Sequence, residues 1–296
     1  TRKESSAASD VYKRQGYDED AKLTLLCKLK DQAEIIICIY AEDIEHNKIR
    51  GDYGITYDQD VLRLIQEYRA LDIPVNSVLL TRYKGQKNAS VFKANLENRG
   101  IRVFTHEEIA GYPTDIETLF SEAGFAKNTY IPTTKPLVIV TGPGAGSGKL
   151  ATCLNQLYHE HKQGVNASYA KFETFPVWNL PLKHPVNVAY EAATVDLNDI
   201  NMLDSYHIDA YGEMAVNYNR DMQMFPVIRR ILANTSSSTF HYQSPTDMGV
   251  NMIKQGIIDE AVVEEAARQE IIRRYFHVEH DFKVCLLYTS PSPRDS

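Results

Sequence analysis

Pro136-Leu-Val-Ile-Val-Thr141 runs straight into Gly142-Pro-Gly-Ala-Gly-Ser-Gly-Lys149, and the rest of the chain is read outward from this stretch. The apolar, β-branched run reads as a buried strand. Alternate glycines at 142, 144, 146 and 148 let the backbone turn its N–H groups inward around an anion, and Lys149 adds a positive charge. Leu150-Ala-Thr-Cys-Leu-Asn-Gln-Leu-Tyr-His159 then opens a helix whose N-terminus points at the same spot. Strand, glycine loop, lysine and helix together predict a phosphate cradle.

The loop departs from the standard phosphate loop in two places. Strict spacing puts a glycine where Pro143 stands, so a loop beginning at Gly142 is one residue longer. Leu150 occupies the place of the hydroxyl residue that binds magnesium, and Thr152 is the nearest hydroxyl. A dinucleotide fingerprint fits worse, because its third glycine falls on Ser147 or Lys149 depending on the starting residue. The expected cofactor-binding residues are Gly142, Gly144, Gly146, Ser147, Gly148, Lys149 and Thr152. Their expected ligand is ATP or another phosphorylated molecule, with Mg²⁺.

Upstream, Ala33-Glu-Ile-Ile-Ile-Cys-Ile-Tyr40 reads as a strand covered on both faces. Thr56 with Gln59 marks a capping box, and Val61, Leu62, Ile65 and Tyr68 fall on one helical face. Val75–Tyr83 and Ile101–Phe104 read as further strands, with Asn88 capping and Gly100 ending the helix between them. Downstream, Ala167–Phe172 reads as a strand, Ser244-Pro-Thr-Asp247 as a helix start and Ala261–Phe276 as a charged amphipathic helix. Alternation at this pitch predicts parallel sheets. The expected class is α/β: two three-layer, Rossmann-like or P-loop-like units with mostly parallel sheets and a helical C-terminal segment. The expected domains are an N-terminal α/β unit over 16–134 and a P-loop-like unit with its helical extension over 135–284. Residues 1–15 and 285–296 are expected to be non-native tails, the second reading like translated sequencing adapter.

Bulk properties narrow the partners. A formal charge of −7 argues against a nucleic-acid groove or an anionic membrane surface, and no apolar run reaches the length of a membrane span. Cys27, Cys38, Cys153 and Cys285 show no paired spacing, which predicts buried thiols in a reducing, cytoplasmic compartment. A small-molecule substrate is the expected partner, and the acid- and tyrosine-rich stretch from Tyr190 to Asp221 leaves self-association open.

Ligands of open α/β sheets sit at the carboxyl ends of strands, which singles out the loops 41–52, 142–149 and 173–179. Lys171 is placed to neutralise a transferring phosphoryl group, and Glu173 with Asp196 to hold the metal. The catalytic candidates are thus Lys149, Lys171 and Asp196. Asp43, Arg50 and Asp52 crowd the first loop with His46, and together with Asn179 and Arg220 are the substrate-binding candidates. His184 and His207 are candidate general bases, although a lone histidine is more often structural. Each charged candidate has a plain alternative as a surface ion pair or a solvated face.

Several idiosyncratic segments carry a resemblance: Asp43-Ile-Glu-His-Asn-Lys-Ile-Arg-Gly-Asp52, Lys171-Phe-Glu-Thr-Phe-Pro-Val-Trp-Asn179, Ala192-Ala-Thr-Val-Asp196, Asn217-Tyr-Asn-Arg-Asp221 and Ser244-Pro-Thr-Asp-Met-Gly249. From Gly16 to Lys283 the chain resembles a bacterial family known as domain of unknown function 1846. Some of its members carry the automatic label "ATP-dependent zinc protease". The resemblance implies no established activity, and the residues do not fit the protease label. A zincin needs two histidines four apart around a glutamate, whereas His159-Glu-His161 sets them two apart on different helical faces. Any zinc site would have to be assembled from distant histidines. The sequence therefore predicts an ATP-dependent transferase or ligase acting on a small molecule. A nucleotide or anion sensor, or an enzyme whose substrate itself carries the phosphate, are the alternatives.

Overall fold

A computed structural model describes residues 26–50, 53–172, 176–195, 198–235, 242–250 and 257–289, with backbone alone at 250 and 281–289. Its centre is a four-stranded parallel sheet of β1 (Ala33–Tyr40), β2 (Val75–Thr81), β3 (Val103–Thr105) and β4 (Leu137–Thr141), in the order β3-β2-β1-β4. β1 is apolar almost throughout because it is central and covered on both faces. Ile35, Ile37 and Ile39 face α2 (Tyr57–Ala70) and α3 (Lys87–Asn98), which follow the short helix α1 (Ala41–Glu45). Ile36 and Cys38 face the other way, toward Ile131 and α5 (Lys149–Lys162), where the Cys38 thiol meets the Thr152 hydroxyl at 3.3 Å. The short helix α4 (Ile116–Phe120) lies between β3 and β4 in the chain.

The α/β class and the parallel sheet agree with the sequence. β4, the strand that leads into the glycine loop, pairs with β1 from Ala33↔Leu137 to Ile37↔Thr141 and so extends the sheet formed by the preceding strands. Glu34 reinforces that join. Its buried carboxylate accepts the backbone N–H groups of Thr134 and Lys135 and the amide of Asn76, so the chain entering β4 is fastened to β1 and β2. α5 is sewn to the segment before β4 as well: Gln156 brackets both backbone groups of Ile131, and Asn155 and His159 donate to or face the carbonyls of Phe125 and Asn128. On its far side Leu154, Leu157 and Tyr158 pack against Phe225, Ile228 and Ile231.

Beyond α5 come β5 (Lys171–Phe172), α6 (Pro185–Ala193), β6 (Asn201–Leu203), α7 (Ser205–Tyr211), β7 (Val216–Tyr218), α8 (Asn219–Thr235), α9 (Pro245–Met248), β8 (Gly249–Val250) and α10 (Glu260–Thr289). β5 pairs with β8 and β6 with β7, both as two-stranded ribbons outside the main sheet. The expected longer strand over 167–172 is thus a two-residue element. Gln59 accepts the Thr56 N–H, as a capping box requires, and Ser244 caps α9. Asn88 is no cap: Gln86 holds that position, and the Asn88 amides bind Glu45. Among the described residues no helix is long and apolar enough to cross a membrane.

Candidate functional site

The connections β1–β2–β3 step across the sheet in one direction, and β4 lies on the other side of β1. That reversal between β1 and β4 is a topological switch point, where the helices leave on opposite faces and open a crevice at the carboxyl ends. The glycine loop follows β4 at this point. Gly142 passes so close to β1 that a Cβ there would lie 2.3 Å from the Cys38 carbonyl, which reserves the position for glycine. Gly146 and Gly148 are left-handed (φ +76° and +92°) around a Ser147 with negative φ, the alternation that builds a nest of N–H groups.

The loop's carbonyls and amides are treated very differently. Gly144 O accepts from the Lys149 ammonium (2.7 Å) and the Ser147 hydroxyl (2.8 Å). Gly146 O accepts from Arg82 (2.6 Å), Ser147 O from the Thr81 hydroxyl (3.0 Å), and Gly148 O from the backbone and hydroxyl of Thr152. Among the described residues, no acceptor takes the backbone N–H of Gly144, Ala145, Gly146, Ser147, Gly148, Lys149, Leu150 or Ala151. Four carbonyls are engaged while eight consecutive donors are unspent. The last of these belong to the first turn of α5, whose partial positive charge adds to theirs.

Two cations flank these donors. Lys149 also reaches the Ser147 hydroxyl (3.1 Å), and burial holds its ammonium below the ordinary lysine pKa. Burial pushes the neighbouring thiols up, Cys38 to about 11 and Cys153 to about 12, so neither carries a charge that would neutralise it. Arg82 adopts a left-handed backbone (φ +50°) and lays its guanidinium 3.3 Å from the centre of the Tyr40 ring while holding Gly146. Tyr57 stands against Gly144, where a Cβ would come within 2.4 Å of its hydroxyl. Loop 41–57 is anchored around it by the Asp43–Lys48 pair (3.1 Å) and the Arg50–Asp60 pair (2.8 Å). The arrangement can bind a compact anion with backbone dipoles and two positive charges.

The other sequence candidates are dispersed. Thr152 lies inside, its hydroxyl spent on Gly148 O and the Cys38 thiol, so it joins helix to sheet and does not face a ligand. Asp43 and Arg50 lie near the loop but are engaged in the ion pairs just named. Lys171 is not at the carboxyl end of a sheet strand beside β4, because β5 is outside that sheet; its ammonium binds the Tyr218 hydroxyl and Asp221. Arg220 pairs with the buried Asp199 (2.9 Å), to which Tyr190 also donates (3.3 Å), forming a second polar cluster. Asn179 is exposed in a turn. Asp52, Glu173 and Asp196 lie outside the described residues. His207 is structural: it faces the Ser244 hydroxyl at 2.9 Å, with its ring between Trp178 and Tyr211. His46 bonds its own helix at Glu42 O.

Sequence reasoning missed Thr81 and Arg82, although they stand at the carboxyl end of β2 and obey the same strand-end rule that picked the other loops. It also missed Tyr57, which only the folding back of loop 41–57 brings to Gly144.

A family model described as "Domain of unknown function DUF1846, N-terminal" matches residues 6–292. A protein of Clostridium tetani (strain Massachusetts / E88) called "UPF0371 protein" is 62% identical over 268 residues, covering 90% of this chain and 53% of the relative. A "UPF0371 protein" of Clostridium botulinum (strain Alaska E43 / Type E3) is 61% identical over the same length and shares. The chain spans about half the length of the curated relatives it matches.

Proposed function

The chain belongs to the DUF1846 family, and on that premise we propose that it binds the phosphate of a nucleotide or other phosphorylated small molecule in the Gly142–Lys149 loop. The observation that carries this is the run of unspent backbone donors from Gly144 to Ala151, backed by Lys149 and Arg82 at the switch point. Dipoles fixed before the ligand arrives cost no reorganisation, and their carbonyl ends are already tied away. The activity proposed for the whole protein is ATP-dependent transfer or ligation on a small molecule, in a reducing cytoplasmic setting that suits the free thiols of Cys27, Cys38 and Cys153. Self-association of the whole protein stays a proposal of the same kind.

Magnesium does not fit the described residues at the loop. Leu150 offers no ligand, and Ser147, Thr81, Thr152 and Asp43 all have partners. This observation favours a second reading, in which the loop holds a phosphorylated ligand without ATP turnover, as substrate or as signal. In both readings Lys149 neutralises phosphate charge and the nest orients it.

A melting-temperature screen of ATP, pyrophosphate, sugar phosphates and nucleoside monophosphates, with and without Mg²⁺, tests the proposal. Upward shifts by at least one phosphorylated compound, abolished in Lys149→Met, are the expected result. Shifts that survive Lys149→Met would place binding elsewhere. Mg²⁺-dependent ATP shifts with phosphate release favour transfer, and metal-independent shifts favour the second reading.

A further inference from the structure

α10 carries apolar side chains on two opposite sides. On one side Val263, Ala266 and Ala267 pack on Val177 and Leu180 and on Val186 and Ala189 of α6. Glu270 and Arg274 continue that side, both buried, with Arg274 Nε donating to Glu270 Oε1 at 3.3 Å. At about 100° per residue these five positions share one line along the helix, and Ile272, Tyr275 and Phe276 centre about half a turn away from it. Those three are 56%, 64% and 61% exposed, and the two rings meet edge to face with centroids 5.5 Å apart. Glu265, Arg268 and Gln269 occupy the same outward side one to two turns earlier. Arg268 is held by Glu264 (2.8 Å) and Gln269 by Glu265 (3.2 Å), so the apolar patch is bounded by a polar rim. A helix apolar on two sides suits a place between two bodies, and docking on α6 accounts for one side alone.

Exposed apolar side chains are unevenly distributed along the chain. Among the large ones in the described residues, four (Tyr53, Val91, Leu137 and Val165) precede β5, and thirteen lie in it or beyond it. Scattered exposed residues are ordinary, whereas a concentration of them marks a contact surface. The concentration assigns that surface to the later part of the chain, away from the strand-end loops.

We propose that Ile272, Tyr275 and Phe276 seat the C-terminal half of the full-length protein, which leaves α10 sandwiched between α6 and that half. Two observations select this occupant. The matching family model is described as N-terminal, and the relatives are about twice as long, so a comparable length of chain follows the matched part in them. The area points the same way. An aromatic side chain buries about 150–250 Å², so three side chains already partly covered offer about 300–400 Å². A freely associating partner, including a second copy of the chain, needs about 800 Å² a side. Covalent linkage lifts that requirement, because a tethered body docks from a high effective concentration. The covering segment is therefore apolar where it meets the patch. This surface is independent of the phosphate proposal.

The test joins the chain at Lys283 to the part of the Clostridium tetani relative that follows the matched length, and compares this fusion with the chain alone. Amide hydrogen exchange over residues 268–278 should be at least about tenfold slower in the fusion. Ile272→Lys combined with Phe276→Lys should lower the melting temperature of the fusion by at least about 4 °C and leave that of the chain alone unchanged. Val91→Lys, at a side chain 55% exposed on α3, should be silent in both. Equal effects of the lysine pair in fusion and chain, or exchange as fast in the fusion as in the chain, would overturn the proposal. So would a dimer of the chain alone that the lysine pair dissolves, since a second copy would then hold the patch. If the fusion does not fold, the full-length Clostridium tetani relative with lysine at the two aligned positions gives the same readout, and an unchanged melting temperature there overturns the proposal.

Discussion

Replacing Gly148 by alanine probes how the loop is seated. Gly148 has φ +92°, and a Cβ built there lies 2.7 Å from Thr81 Cγ2 and 3.0 Å from Thr81 Cβ and Oγ1. The left-handed conformation costs an alanine about 1–2 kcal/mol. The contact adds an overpacking penalty of about 1–3 kcal/mol, because Thr81 is β-branched and its hydroxyl is tied to Ser147 O. The change should therefore destabilise by about 3 kcal/mol. Gly146 separates the two terms: its φ is +76°, but a Cβ there meets nothing within 4 Å, so Gly146→Ala should lose only about 1–2 kcal/mol. Denaturant unfolding of the two variants, alone and with Thr81→Ser, measures the difference. The serine removes Cγ2 and should recover part of the Gly148→Ala loss while doing nothing for Gly146→Ala. Equal losses in the two alanine variants, or no rescue by the serine, would refute the seating of the loop on β2.

Lys149→Met should weaken pyrophosphate binding about 10–100-fold, the worth of a charged hydrogen bond, as read by calorimetry. Burial lowers the Lys149 pKa, so wild-type affinity for pyrophosphate should fade at a pH below the ordinary lysine value of 10.5. His106 is buried against Thr129 O, and desolvation lowers its pKa from 6.5 to about 4. The unfolded chain takes that proton first, so stability should fall as pH drops from about 6.5 to about 4, by up to about 3 kcal/mol, and level off below. Unfolding of His106→Gln against pH should lack this component; an unchanged slope would exclude it. Glu34→Ala strands the N–H groups of Thr134 and Lys135 and the Asn76 amide, and should destabilise by about 2–4 kcal/mol in denaturant melts.

The parts of this fold that were legible are those set by local pattern. β1 is legible because six of its eight residues are buried and apolar, with Glu34 the one buried exception, and α2 because its box and apolar stripe are written into Thr56–Tyr68. β4 was legible as a strand, but its neighbour was not. Sheet order is decided by which strand offers a free edge, and nothing near Leu137 names β1. The loop's glycines were legible for the same reason they are needed, since Gly142 and Gly148 meet backbone or a stiff side chain. Two of the groups that hold its carbonyls, Thr81 and Arg82, come from the carboxyl end of β2, more than sixty residues away, and left no local mark. Lys171 illustrates the opposite failure, a rule about strand ends applied to a strand that turned out to lie outside the sheet.

The most direct measurement is a pyrophosphate titration of the chain labelled with ¹⁵N at glycine alone, followed by its 15 glycine amide signals. The account predicts that Gly144, Gly146 and Gly148, assigned by alanine replacement at each, shift together and saturate with one affinity, while glycines such as Gly85 and Gly164 stay still. Binding that leaves those three amides unmoved, or no shift at any glycine up to millimolar ligand, would contradict it.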